Sequence, residues 1–326
     1  MKNILRNTLF AAFALTGVLT VTSASADDNV YIWKGGHVIQ IVPAAGVDKV
    51  SMASNNSAIS VALKQGDPIT APTAYFDSIT FVYNRPISDE VLDVQFQKDG
   101  TAKDISPFAN PVEKVDGTGT LSTYYNDDYG CYVGKLEDVS YASAGASHYE
   151  IDYTDNEDVW NALADGYTVE LLAEGTADAN GKEAKWFSST EAGGPFAVMV
   201  EKSNVLGFIA GTTETEGKNT WRWGTSTTTY EKDTYYHLVG VYDKDKQKVN
   251  LYVNGELVGM DDAPGELTKP VITGSKLIMD LFGDPSKSGG VQASFPGEIA
   301  IARIYNTPMT DTDVKALYSN IKKNNR

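Results

Sequence analysis

Cysteine is all but missing from this chain. Cys131 stands alone among 326 residues, so no intramolecular disulfide can form and the fold must hold by burial and hydrogen bonding. Between Gly130 and Tyr132 that thiol reads as a small buried hydrophobe, and nothing in the sequence sets a histidine beside it to make a nucleophile. Histidine is nearly as scarce. His37, His148 and His237 lie far apart, without the His-Glu-x-x-His spacing of zinc hydrolases, and Cys-x-x-Cys is absent. So are Gly-x-Ser-x-Gly and the phosphate-cradling P-loop, which leaves acyl transfer and nucleotide chemistry unsupported. Positive charge is short as well: 27 Lys and Arg stand against 43 Asp and Glu, a formal charge of −16. Such a surface repels phosphate backbones, so nucleic acid is not an expected partner, whereas acidic oxygens suit hard cations such as Ca2+.

Long apolar runs are confined to the first residues. Lys2 and Arg6 precede an apolar stretch from Leu9 to Val21, and Ala24-Ser25-Ala26 follows as an A-x-A cleavage site. The pattern predicts a signal peptide over 1–26, cut near Ala26, and an exported protein, periplasmic or extracellular. No cysteine at the cut encodes a lipid anchor, and nothing later approaches a membrane span. Removing Lys2 and Arg6 takes the formal charge from −16 to −18.

What the chain has in quantity is short alternating runs broken by Gly, Asn and Asp. Tyr236 to Gly259 is the clearest. Tyr236, Leu238, Gly240 and Tyr242 alternate with their neighbours, and Val249, Leu251 and Val253 do the same. Asn254-Gly255 then supplies the positive φ at both central positions that a type I′ hairpin requires. A two-residue loop sets Val253 opposite Glu256, Leu251 opposite Val258 and Val249 opposite Met260. Residues 27–87 read as a small N-terminal β segment with a hairpin about Gly35-Gly36, broken by Pro68, Pro72 and Pro86. A short echo in it, Val47 to Ser51 and Phe76 to Thr80, is similar to N-terminal β segments of secreted Bacteroidetes proteins. From 88 to 322 almost everything is strand, with two helices. One runs from Asn156 to Ala164. The other starts at Asp311, where Thr310 and Asp313 form a capping box and Val314, Leu317, Tyr318 and Ile321 make an apolar stripe; 323–326 is a solvated tail.

The run YHLVGVYDKDKQKVNLYVNGELVG resembles the core of LamG-like, concanavalin A-like domains. Phe295 to Asn306 resembles the closing strand of that family, and Asp165 to Leu171 an early one. The resemblance implies an all-β antiparallel jelly-roll sandwich with a C-terminal helix. It implies a lectin-like binding role more than any chemistry, since folds host sites rather than dictate them.

Three groups of residues compete to be the site. Laminarinase-type glycosidases of this fold carry Glu-x-Asp-x-x-Glu, and Glu150, Asp152 and Asp155 echo it one methylene short. Period 2 puts Glu150 and Asp152 on one face and Asp155 on the other, so a surface strand running into a helix cap is the preferred reading. Domains similar to this one often bind Ca2+ at a loop edge. Asp284 in Phe282-Gly283-Asp284 resembles the family's turn, and Asp261, Asp262, Asp243 and Asp245 offer further oxygens, although Asp-rich turns are usually only turns. Trp221 and Trp223 should share one strand face, and Tyr124, Tyr125, Tyr129 and Tyr132 crowd around an Asp-Asp turn. Aromatic planes stack on sugar rings, but they also fill cores. The expected function is therefore a non-catalytic module binding a polysaccharide or glycoprotein glycan. The alternative is a structural or adhesion module contacting a protein, with a diverged glycosidase last.

Overall fold

A computed structural model describes residues 18–20, 29–34, 37–52, 58–65, 68–72, 78–80, 89–189, 195–213, 219–269, 276–286 and 289–324. Apart from 18–20, the signal segment falls outside them, as do Gly35-Gly36 and Phe76-Asp77. Contacts divide the chain into two units, ending and beginning at Asn84 and Arg85.

The first unit holds β1 (Val18–Thr20), β2 (Asn29–Lys34), β3 (His37–Pro43), β4 (Val47–Met52), β5 (Ala58–Leu63), β6 (Ile69–Pro72) and β7 (Ser78–Thr80). They form two antiparallel sheets, β1-β4-β5-β6 and β3-β2-β7. Lys34 pairs with His37, as a two-residue connection demands. Val30, Ile32, Val42, Val47, Val50 and Val61 make a core of this unit's own.

The second unit is the sandwich. Its strands are β8 (Glu90–Phe96), β9 (Ala102–Asp104), β10 (Val112–Val115), β11 (Thr120–Asn126), β12 (Cys131–Glu137), β13 (His148–Asp152), β14 (Gly166–Gly175), β15 (Ala184–Ser189), β16 (Phe196–Val200), β17 (Val205–Thr213), β18 (Asn219–Thr229), β19 (Tyr236–Asp243), β20 (Lys248–Val253), β21 (Glu256–Asp262), β22 (Glu266–Leu267), β23 (Ile278–Leu281), β24 (Asp284–Pro285), β25 (Val291–Gln292) and β26 (Gly297–Tyr305). One sheet runs β10-β13-β23-β15-β16-β17-β18, with β22 beside β17. The other runs β11-β12-β26-β14-β19-β20-β21, with β8 and β9 beyond β26. Every strand pair in them is antiparallel, as the alternation implied, and the sandwich is the jelly-roll architecture that the resemblance implied.

Aromatic rings join the layers. Tyr167 of β14 meets Phe196 and Phe208 of the opposite sheet at 6.2 and 6.4 Å and Tyr242 at 5.6 Å. Trp186 lies 4.2 Å from Phe295. β14 is buried on nearly every residue because helix α2 (Asp311–Asn324) covers part of its outer side, where Ile321 packs with Leu172, Val133 and Ala300. The α2 capping box is formed: Asp313 Oδ2 accepts from the Thr310 amide at 2.9 Å and hydroxyl at 2.8 Å, and the Asp313 amide returns to Thr310 Oγ1 at 3.3 Å. In helix α1 (Glu157–Leu163), Asn156 occupies the N-cap, but its side-chain amide goes to Asn110 and Phe108 instead of capping.

The Asn254-Gly255 turn has φ of 52° and 83°, the type I′ signature, and Val253 pairs with Glu256. Beyond that the expected register fails. A bulge shifts it between Leu251 and Tyr252, so Leu251 faces Gly259 and Val249 faces Asp261. The extra residue twists β21 toward β18, and a Cβ on Gly259 would sit 2.4 Å from the Thr225 carbonyl oxygen.

One carboxylate is fully enclosed and charged. Glu170 receives the Tyr305 hydroxyl at 2.7 Å and faces His237 Nε2 at 3.1 Å, with Arg303 Nη1 at 3.6 Å. Burial alone would raise its pKa, but His237, Arg303 and Tyr305 hold it down at about 2. The folded value lies below the unfolded one near 4.5, so this contribution is complete above that pH and is lost as pH falls toward 2. Glu170→Gln should therefore cost about 3 kcal/mol at pH 7 and flatten the acid limb in urea unfolding at pH 7, 4 and 3. An unchanged acid limb would contradict it. Gly240 needs its missing Cβ, which would lie 2.2 Å from the Phe208 ring. Gly240→Ala should lose about 1–3 kcal/mol in the same assay with the m-value unchanged.

Candidate binding face

The β10–β18 sheet turns Tyr149, Ile151, Met279, Leu281, Val198 and Phe208 into the core. The intervening side chains share the opposite face. Register aligns Glu150 with Asp280, Asp280 with Ser188, Ser188 with Ala197, Ala197 with Ile209, and Ile209 with Trp223. A single row crosses the sheet, passing from carboxylates through a hydroxyl to aliphatic and then aromatic side chains. At ~4.8 Å per strand, its five steps span roughly 24 Å.

The polar end is dense. Lys276 Nζ sits 2.6 Å from Glu150 Oε1 and 3.5 Å from Asp152 Oδ2. Asp280 is fully buried, and among the described residues neither of its oxygens has a hydrogen-bond partner. Burial drives its pKa well above the usual carboxylate range, and Glu150 and Asp284 push the same way. His148 Nε2 is 3.9 Å from Asp280 Oδ2, and Nδ1 is 2.9 Å from the Ala146 carbonyl. Burial lowers the His148 pKa, against the Ala146 hydrogen bond and the charge of Glu150. Next to this cluster, Asp284 Oδ2 binds Lys185 Nζ at 2.7 Å and Oδ1 accepts from Ser188 at 2.5 Å. His148, Glu150 and Asp280 each offer one metal-ligating atom, all within 4.8 Å of one another.

At the apolar end Trp221 and Trp223 are half-buried against Ala197, Met199 and Ile209, a cluster separate from the main core. They share a face, as their spacing requires.

The other expected residues are dispersed. Asp261 and Asp262 end β21: Asp261 accepts from the Trp223 and Asp262 amides at 3.2 and 2.8 Å, and Asp262 pairs with Lys248. Asp284 lies on β24 and is neutralised by an ammonium, so these three carboxylates do not converge on one cation. The tyrosines lie on the opposite sheet, apart from the tryptophans. Tyr124 and Tyr235 both donate to Glu298 Oε2, with Lys135 3.5 Å from Oε1. Tyr129 stacks edge-on against Tyr235 at 4.9 Å and Tyr125 against Tyr132 at 5.4 Å. Asp155 is exposed in the turn beyond β13, outside the strand that carries Glu150 and Asp152. Sequence reasoning missed Asp280 and Lys276 because no spacing ties them to Glu150; Lys276 is 126 residues away.

The two antiparallel sheets and the row across one of them define a lectin-like β-sandwich. The chain belongs to the concanavalin A-like lectin/glucanases superfamily, whose profile matches residues 145–315. A search of curated proteins finds no match. Among solved structures it is similar to the binding domain of botulinum neurotoxin DC in complex with SialylT, with TM-score 0.52 and 14% identity, covering 72% of this chain and 52% of that one. The same domain in complex with rat synaptotagmin II gives 0.51 and 14%, covering 72% and 52%. The receptor binding domain of the botulinum neurotoxin C/D mosaic serotype gives 0.50 and 13%, covering 71% and 51%. The chain thus spans about half the length of these structures, and the likeness is one of fold.

The two classes of tryptophan should separate on mutation. Trp186, fully buried in the main core, should cost about 3–5 kcal/mol as Trp186→Ala, whereas Trp223→Ala should cost about 1–2 kcal/mol. Urea unfolding followed by circular dichroism reads the difference; equal losses would place Trp223 in the main core's cooperative unit.

Proposed function

We propose that this protein is a non-catalytic carbohydrate-binding module whose ligand meets the solvent-exposed ends of the row, at Glu150 and at Trp223. The row itself carries the reading. It places charged hydrogen-bonding groups at one end and two indole rings at the other, the combination that meets the hydroxyl edges and apolar faces of sugars. Between those ends Asp280, Ser188, Ala197 and Ile209 are buried, so the ends alone are open to a ligand. Glu150, Asp152, Lys276, Trp221 and Trp223 all keep some solvent exposure and are the contacts within reach of a ligand. A second reading, contact with a protein, is favoured by Tyr124 and Tyr125, which are large apolar groups left exposed on the other sheet.

Titration of the purified protein against soluble oligosaccharides, read by tryptophan fluorescence, tests the first reading. At least one should give a saturable spectral shift. Trp223→Ala and Glu150→Gln should each weaken binding tenfold or more while the fold persists by circular dichroism. A panel with no saturable response, or binding unchanged in both variants, would remove the row as a glycan site. Loss of a protein contact on Tyr125→Ser would then favour the second reading.

A further inference from the structure

Asp280 is the least explained group in the sandwich. A fully buried carboxylate with no donor on either oxygen pays its desolvation without return. The groups around it point to the missing counterpart. The Ala146 carbonyl only accepts, so His148 Nδ1 at 2.9 Å carries the ring proton, and Nε2 presents its lone pair toward Asp280 Oδ2. At 3.9 Å that pair is too far apart for a direct hydrogen bond. Glu150, directly across the ladder from Asp280, adds a second carboxylate. A histidine oriented through Nδ1 by a backbone carbonyl, with Nε2 free, is how metal-binding imidazoles are held.

We propose that His148 Nε2 and the carboxylates of Glu150 and Asp280 bind a divalent transition-metal ion of the Zn2+ class. The three donor atoms lie within 4.8 Å of one another, so a shift of roughly 0.7 Å at each brings them to bonds of ~2.0–2.2 Å around one ion. An imidazole nitrogen with two carboxylates suits Zn2+ and its neighbours, whereas Ca2+ takes six to eight oxygens. Lys276 holds Oε1 of Glu150 and leaves the other oxygen for the ion. Three protein donors leave a position for water or an incoming oxygen. This site stands apart from Asp284, whose counter-charge is Lys185. Its test contains no glycan, so it succeeds or fails independently of the carbohydrate reading.

The experiment is metal loading of the purified chain. After dialysis against Zn2+ and then metal-free buffer, elemental analysis should find one zinc per chain. EDTA should lower the melting temperature and Zn2+ restore it. Co2+ should add visible d–d absorption that Zn2+ displaces. Asp280→Asn should weaken Zn2+ binding at least tenfold, yet melt no lower than the parent in EDTA, because a neutral amide of the same shape replaces a carboxyl group that has no hydrogen-bond partner among the described residues. If that variant does not fold, Glu150→Gln, at a partly exposed position, gives the same comparison of zinc affinity, its loss of the Lys276 ion pair being read separately from the melting temperature in EDTA. Absence of stoichiometric zinc, or zinc binding that survives both substitutions and His148→Gln, overturns the proposal.

Discussion

Two sheets can close over a core only as far as the side chains between them allow, and here a ring seated on a bare backbone sets the approach. Phe208 from one layer rests against Gly240 of the other, leaving no room for a methyl group. Around that contact, Tyr167, Phe196 and Tyr242 fill the interlayer space with tilted and edge-on rings. The β16–β17 hairpin is held at a fixed height over β14 and β19. Ala197 and Ile209 on its other side are thereby carried to their places in the cross-strand row. The face that carries this row is the reverse of the surface that packs the core, so its geometry is inherited from this contact.

Two buried carboxylates show how differently the same chemistry is treated in the two layers. Glu170, in the β14 layer, is surrounded by a histidine, an arginine and a tyrosine hydroxyl, and burial is overcome by partners. Asp280, in the β23 layer, is equally enclosed, but the charges of Glu150 and Asp284 outweigh that of Lys276 around it, and a histidine nitrogen stands 3.9 Å in front of it. The first arrangement is complete within the chain and serves stability. The second lacks a hydrogen-bond donor among the described residues, and that is the observation on which the proposed metal site rests.

The aromatic resources divide the same way. Trp223 ends the row with Trp221 beside it on the same face, whereas Tyr124, Tyr125 and Tyr129 decorate the hairpin of the opposite sheet around Glu298. A single platform containing all five does not exist. One face pairs indoles with a polar floor, and the other presents exposed phenols beside buried carboxylates. Glu174 there is pushed up to about 7 by burial and by Glu298.

Local pattern was enough for the fold class. Period-2 alternation named the strands between Tyr236 and Val253, Asn254-Gly255 named the hairpin, and Thr310 with Asp313 named the helix start, because each depends on residues a few positions apart. The same pattern put Glu150 and Asp152 on one strand face, and Trp221 and Trp223 on another, whereas His148, which shares the strand of Glu150, reads as isolated in the sequence. It could not foresee the bulge that rotates β21, since an extra residue in a ladder is settled by how β21 packs on β18. Nor could it join Glu150 to Asp280. Which strands become neighbours is decided by the burial of both sheets at once, and only that choice places β23 between β13 and β15. By itself the sequence determined a sandwich with acids and aromatics on its strands. Tertiary structure alone decided which of them meet, because facing residues from distant segments share no spacing that a linear reading can detect.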